Sequence, residues 1–395
     1  MFEYKKLSAF LIFCICYMQL IGQVVTGAEQ TKKYMPLLKQ KRVALVVNQT
    51  SVIGGTHLVD SLKKLKVDIR LIFAPEHGFR GNYGAGVEIK SGKDAKTGLT
   101  VISLYGKNKK PLAADMAKVD VVIFDIQDVG ARFYTYISTL HYVMEACAEH
   151  GKKLIVLDRP NPNGFYVDGP ILDTAFRSFV GMHPIPVVHG MTVGEYAQMI
   201  NGEQWLSGKK NCSLQVIAMK GYDHNTRYSL PVKPSPNLPN MNAIYLYPGL
   251  CLFEGTNYSM GRGTDKPFEC LGKPGLTHGN YTFTPKSIKG VAENPPYAGK
   301  ECKGYLLSDY VQNVFAHKPL LNIGWLIDMY AQDTAKSSFF NDFFPLLAGG
   351  RQLQQQIESG MSESEIRKSW QPGLQSFYKI RMKYLLYKEF SMFTK

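Results

Sequence analysis

The sequence predicts an α/β protein: a Rossmann-like, mostly parallel sheet with helices on both faces, followed by a smaller C-terminal α+β domain. Short, almost wholly apolar runs recur through the first 160 residues, and helical stretches separate them. Strands that read as continuous hydrophobic runs belong to parallel sheets covered on both faces. Near residue 235 a proline-rich segment intervenes, and beyond it the pattern changes to Gly- and aromatic-rich loops and then helices.

Taken in order, residues 1–27 read as a secretory signal. Lys5 and Lys6 precede the apolar stretch from Leu7 to Ile21, and the small residues Thr26, Gly27 and Ala28 follow. Ser8, Tyr17 and Gln19 interrupt that stretch, which lies at the short end for spanning a bilayer. The expectation is an exported protein, periplasmic or secreted, with no stable membrane insertion after cleavage. A lipid anchor on Cys14 or Cys16 is less favoured, because very little apolar sequence precedes either.

Residues 28–235 form the predicted α/β domain. Its strands are Val43 to Val47, Ile69 to Ala74, Val101 to Leu104, Val121 to Phe124 and Leu154 to Leu157. Helices are predicted over His57 to Leu65, Pro111 to Lys118 and Arg132 to His150. In the last, Phe133, Ile137, Leu140, Met144 and Cys147 recur at steps of three and four before Gly151. Thr192 and Glu195 have capping-box spacing, which makes Glu195 a helix cap. Four prolines between Pro231 and Pro239 give an extended stretch, either a domain boundary or an ordered cleft wall presenting Ser235 and Asn237. Residues 236–395 form the smaller domain, which closes the cleft. It has loops from Tyr245 to Tyr297 and helices around Leu307 to His317 and Ile323 to Tyr330. A tail from Ser362 to Phe390 follows, in which Pro372 opens the last helix.

A net charge of +14 is dispersed, without a basic arm or an arginine-rich stripe. That argues against nucleic acid and suits an acidic or cell-envelope substrate. Five cysteines follow the leader at irregular spacing, so neither a disulfide framework nor a zinc site is read. Cys270 and Cys302 are the pair to test for a bridge. Gly81, Gly84 and Gly86 have the wrong order and place for a dinucleotide loop, and no cofactor is expected.

In a parallel sheet all C-terminal strand ends lie along one edge, where ligands bind. The polar residues that close each apolar run are therefore the candidate site. Asn48 follows the first strand. Glu76-His77-Gly78-Phe79-Arg80-Gly81 follows the second and is the sharpest local signal. A carboxyl fixed beside apolar walls is suited to donate a proton. His77 is a candidate base or a hydrogen-bonded structural residue. After the fourth run come Asp125, Gln127, Asp128, Arg132 and Tyr134, a donor and acceptor set for a polyhydroxylated ligand. Within it Asp128 is also a candidate helix cap and Asp125 a candidate partner for Arg132. His189 ends a further apolar run through Ile185, Val187 and Val188, and Glu254 and Arg262 lie on glycine-bearing loops of the second half.

Eight motifs in order carry a resemblance. They are Asn48-Gln49-Thr50, Glu76 to Gly81, Asp125 to Tyr134, Asp158 to Pro162, His189 to Thr192, Pro234 to Asn237, Tyr247-Pro248-Gly249 and Phe253 to Asn257. Together they resemble the exo-β-N-acetylmuramidases of the NamZ type from about residue 40 to the C-terminus. The resemblance implies an exported glycoside hydrolase of peptidoglycan recycling, which removes N-acetylmuramic acid (MurNAc) from the non-reducing end of glycan fragments. It also implies a site in the cleft between two domains, with Glu76 as catalytic acid. Asp128 and His77 are expected to assist, and Arg80, Arg132 or Arg262 to meet the lactyl carboxylate. The substrate's 2-acetamido group offers an internal nucleophile as an alternative to a second carboxylate. Two other classes compete: an exported carbohydrate-binding protein without catalysis, and a metal-dependent hydrolase using Asp125, Asp128, His77 and His189.

Overall fold

The computed structural model describes residues 24–80 and 91–390. A seven-stranded sheet organises the first half: β1 (Arg42–Val47), β2 (Asp68–Ala74), β3 (Gly92–Lys93), β4 (Thr100–Ser103), β5 (Val121–Asp125), β6 (Lys153–Leu157) and β7 (Ser213–Ile217). Their spatial order is β3-β4-β2-β1-β5-β6-β7. Every neighbouring pair is parallel except β3 with β4. Leaving aside the β3 edge, this is the doubly wound order, with its reversal of winding between β1 and β5. The five predicted strands are all present. The sixth parallel strand, β7, has Ser213 and Gln215 in a short, mixed run, so it lacks the continuous apolar signal.

Alternate residues of each central strand enter opposite cores. Ala44, Val46, Phe73, Val122, Phe124, Leu154 and Val156 face one cluster. Val43, Leu45, Val47, Ile72, Val121, Ile123, Ile155 and Leu157 face the other. Helices α1 (Thr31–Leu38) and α2 (Leu58–Lys64) add Tyr34, Leu38, Leu58 and Leu62 to the second cluster. Helices α3 (Ala113–Met116), α4 (Tyr136–Glu149) and α5 (Val193–Gly202) add Met116, Leu140, Met144 and Ile200 to the first. Cys147 is packed there as well. The capping boxes at Thr192 and Ser362 both form. Glu195 additionally accepts from Leu386 N and lies 3.0 Å from His224 Nε2, so it ties the C-terminal tail to this helix.

Beyond the prolines, α6 (Met241–Leu250) carries Tyr247-Pro248-Gly249 within a helix and not in a loop. An antiparallel sheet follows, made of β8 (Cys270–Lys273), β9 (Tyr281–Phe283) and β10 (Cys302–Leu306) in the order β8-β10-β9. The last helix of the described residues, Glu363–Arg381, runs through Pro372, because Trp370 and Phe377 on either side are both buried. The run Ile185 to Val188 is no strand of the sheet; Val188 forms only isolated antiparallel bridges to Ala131 and Asp168. The first cluster extends from Ala44 to Phe390, so the two halves share one core. The Cys270–Cys302 pair is ruled out by register. Cys270 faces Leu306 while Cys302 opens the same strand, leaving about 13 Å of strand between them where a bridge allows about 7 Å.

The leader proposed for residues 1–27 lies almost wholly outside the described residues. Its last three residues do not behave as leader: Val25 exchanges backbone bonds of 2.9 and 3.0 Å with Lys220, and Gly27 N donates to Asp158 O at 2.8 Å. A Cβ at Gly27 would meet Ile217 O at 2.4 Å. Residues 25–27 thus pack against the end of β6 and the segment that follows β7.

At the reversal point the crevice is filled by protein. Arg159 donates to both oxygens of Asp125 at 2.5 and 2.9 Å, and both side chains are buried. Removing one partner of such a pair strands the other charge, which costs about 3–5 kcal/mol. Arg159→Met is expected to lower unfolding stability by that amount in urea titrations, and adding Asp125→Asn to recover part of it.

Candidate active site

The site is built outward from the end of β2. Pro75 to Gly78 form a turn closed by Gly78 N donating to Pro75 O at 3.0 Å, with His77 at φ 68° and Gly78 at φ 78°. Few side chains adopt that left-handed conformation, and histidine is among the more tolerant. The turn leaves both Glu76 and His77 lining a cavity of about 480 Å³, within the usual range for small-ligand pockets. Thr135 Oγ1 donates to Glu76 Oε2 at 2.7 Å. Thr135 is the residue that opens α4, yet its side chain makes no capping bond. Its hydroxyl serves the glutamate instead.

Aromatic rings form the cavity wall. Tyr134 packs edge-on against Tyr136 at 4.8 Å and against Tyr247 at 5.6 Å, and Tyr247 meets Phe268 at 5.0 Å. Burial pushes the Tyr134, Tyr136 and Tyr247 hydroxyls well above their ordinary range, so they are neutral hydrogen-bonding groups. Ser235, Asn237, Glu254 and Arg262 also line the cavity. Arg262 donates to Glu254 Oε1 through both Nη2 (2.5 Å) and Nε (3.1 Å). Burial works against the guanidinium charge, but the adjacent Glu254 outweighs it and raises the arginine above its ordinary value.

This chain matches two domains of one family over almost its whole described length. Residues 43–242 match the N-terminal domain of exo-β-N-acetylmuramidase NamZ, and residues 245–387 match its C-terminal domain. The peptidoglycan β-N-acetylmuramidase NamZ of Bacillus subtilis (strain 168) is 41% identical over 382 residues, covering 90% of this chain and 89% of that protein. The chain belongs to the NamZ exo-β-N-acetylmuramidase family. Two crystal structures from Bacteroides fragilis NCTC 9343, both described as DUF1343 family proteins, share the fold. One is 49% identical with a TM-score of 0.87, covering 93% of this chain and all of that one. The other is 29% identical with a TM-score of 0.79, covering 93% and 99%.

Of the residues singled out in sequence, Glu76, His77, Tyr134, Ser235, Asn237, Glu254 and Arg262 line the cavity of this NamZ family member. The others are near it but committed elsewhere. Asn48 Oδ1 accepts from Thr50 N and Oγ1, closing a turn at the end of β1. Gln127 Nε2 donates to Asp128 O and Pro160 O. Arg80 is paired with Asp94 through Nε and Nη2 at 3.0 and 2.9 Å. Asp125 is held by Arg159 and not by Arg132. Arg132 is fully buried and donates to the carbonyls of Pro170, Ile185 and Leu347, so it is a strut between the halves and not a ligand for a lactyl group.

Asp128 and His189 lie behind the tyrosine wall. Asp128 Oδ2 accepts from Gly130 N at 2.6 Å, within the loop that precedes α4, so it does not cap that helix. His189 Nε2 lies 3.9 Å from the same oxygen. Burial pushes the Asp128 carboxyl up to about 7, against the opposing pull of the Gly130 and Val129 N–H groups. Burial, with Arg381 and Arg132 nearby, takes His189 down to about 3. Below neutral pH the pair is therefore an uncharged imidazole beside a largely protonated acid. The four residues of the metal-hydrolase alternative do not converge: Asp125 is in its ion pair, Asp128 and His189 are behind the wall, and His77 is in the cavity. Thr135, Tyr136, Tyr105 and Phe179 also line the cavity. Thr135 closes the polar run that begins at Asp125 and Tyr105 lies two residues beyond β4, whereas Tyr136 and Phe179 carried no sequence signal.

A carboxyl raised from 3.8 to about 7 by folding binds its proton more tightly in the native state, so stability falls as pH rises through that window. Asp128→Asn is expected to reduce this decline between pH 4.5 and 7 by up to roughly 1.4 kcal/mol per pH unit, read from denaturation midpoints.

Proposed function

We propose that this chain is an exo-acting β-N-acetylmuramidase that releases MurNAc from the non-reducing end of peptidoglycan-derived glycans, with Glu76 as general acid. The observation that carries the assignment of the acid is its mounting. Glu76 projects from a left-handed turn into an aromatic-walled cavity, and one of its oxygens is fixed by the Thr135 hydroxyl. A proton donor must be held against a single glycosidic oxygen, and such anchoring reduces its freedom to a few rotamers.

Glu254 replaces Asp128 as the second carboxylate in this reading. It lines the cavity, where Arg262 donates to its Oε1 through both Nε and Nη2. An ionised carboxylate suits either orientation of a water or steering of the substrate's acetamido group, the two roles open to a partner of the acid. His77 is placed to bind a substrate hydroxyl. Export fits a cell-wall substrate, and we place the leader ahead of Val25.

The deciding assay is release of MurNAc from MurNAc-GlcNAc, with N-acetylglucosaminides as controls. Glu76→Gln is expected to lower kcat/KM on the disaccharide by about 10²–10⁴. Its loss on a nitrophenyl muramide should be much smaller, because that leaving group needs little protonation. Equal losses on both substrates would remove Glu76 from the acid role. Glu254→Gln is expected to lower kcat on both substrates alike, by about 10² or more.

A further inference from the structure

The cavity has a closed end and an open one, and the open side is chemically uneven. Tyr247, Cys251 and Phe268 are buried at the closed end beside the Arg262–Glu254 pair. A terminal sugar must be enclosed, so the rest of the glycan leaves through the mouth. One lip of that mouth carries the exposed Glu293 and Asn294. The other carries Tyr105 and Phe179, both half-buried, with ring centroids 6.2 Å apart. Beyond the cavity this second lip continues. Tyr142 stacks on Phe179 at 6.3 Å with 22° between the planes, and Lys109 Nζ lies 4.7 Å from the Phe179 centroid.

Two of these features are unusual for a surface with only a structural role. The aromatic rings are left half-exposed at the mouth of the site, where they offer flat apolar faces. Lys109 forms no ion pair with a carboxylate among the described residues, whereas its neighbour Lys110 is paired with Glu145 and Glu149. Charge then chooses between the lips. An anionic chain is repelled by Glu293 and drawn to Lys109.

We propose that Tyr105, Phe179 and Tyr142 form a platform for the sugar on the leaving-group side, and that Lys109 binds the free lactyl carboxylate of the next MurNAc along the chain. The inference rests on the muramidase reading and deepens it: the enzyme acts best on glycans longer than a disaccharide, whose second muramyl residue retains its carboxylate. The N-acetylglucosamine of the cleaved linkage lies over Tyr105 and Phe179, and the following MurNAc reaches Lys109.

The test compares kcat/KM for MurNAc-GlcNAc-MurNAc-GlcNAc with that for MurNAc-GlcNAc, at low and high salt. The wild type should prefer the tetrasaccharide by about tenfold or more, the scale of one good contact, and lose part of that preference in salt. Phe179→Ala and Lys109→Glu should each bring the ratio towards one, mainly through KM. Lys109→Arg should keep it. A wild type that turns over the disaccharide with a ratio of one, or variants that leave a high ratio intact, would overturn the inference and leave the muramidase reading standing. Failure to turn over either substrate would overturn both.

Discussion

The buried pair of Asp125 with Arg159 decides where this sheet can bind anything. In a doubly wound sheet the natural crevice opens where the winding reverses, between β1 and β5. Here Arg159 reaches into that gap from the end of β6 and clamps the carboxyl at the end of β5. Thr50 Oγ1 accepts from Gln127 N, and Ser51 donates to Asp125 O, which closes the gap further. The strand ends at the reversal point are thus occupied by one another. The pocket opens to the side, over the turn after β2 and the loop before α4, which is where Glu76 and Thr135 meet. Moving the site away from the reversal point is what gives a fold associated with nucleotides room for a sugar.

The same economy governs the basic residues. Arg132 is spent on three carbonyls, and Arg381 donates to Gly190 O from the last helix. Arg367 joins Asp168 to the Leu321 carbonyl. Each reaches between segments far apart in sequence, and in each the planar guanidinium satisfies several acceptors that would otherwise be buried without partners. Part of the positive charge read from composition is therefore internal scaffolding that holds the C-terminal half over the strand ends. A site shared between two halves needs such rigid struts, because Glu254 and Arg262 come from one half and Glu76 from the other.

Sequence made the strands legible because a two-sided sheet forces long apolar runs: β1 and β5 have no polar residue in their interiors, and β2 has none after Arg70. It made Glu76 legible because a proline and glycines around a strand-end carboxyl restrict the backbone. It could not distinguish the polar residues that face the ligand from those that satisfy the strand ends themselves. Asn48, Gln127, Asp125 and Arg132 have the right chemistry and the right address, yet each is consumed within about one turn of the sheet edge or across the gap. Helix ends misled for a related reason. Pro372 resembles a first-turn proline, but tertiary packing of Trp370 and Phe377 carries the helix through it. The run Ile185 to Val188 is apolar because it lines the shared core, not because it pairs in the sheet.

The charge state of the pocket follows from these placements. Asp128 and His189 are buried and do not line the cavity, and desolvation leaves them largely uncharged below neutral pH. The Arg262–Glu254 pair at the closed end has no net charge, so it presents a substrate carboxylate with a dipole and not a free cation. Among the described residues, Lys109 and Glu293 place opposite charges near the mouth. An anionic glycan therefore meets charge at the entrance before its terminal sugar is enclosed, and the closed end can be shaped for fit and for proton transfer. Orientation at the entrance and chemistry in the interior are separated along the length of one cavity.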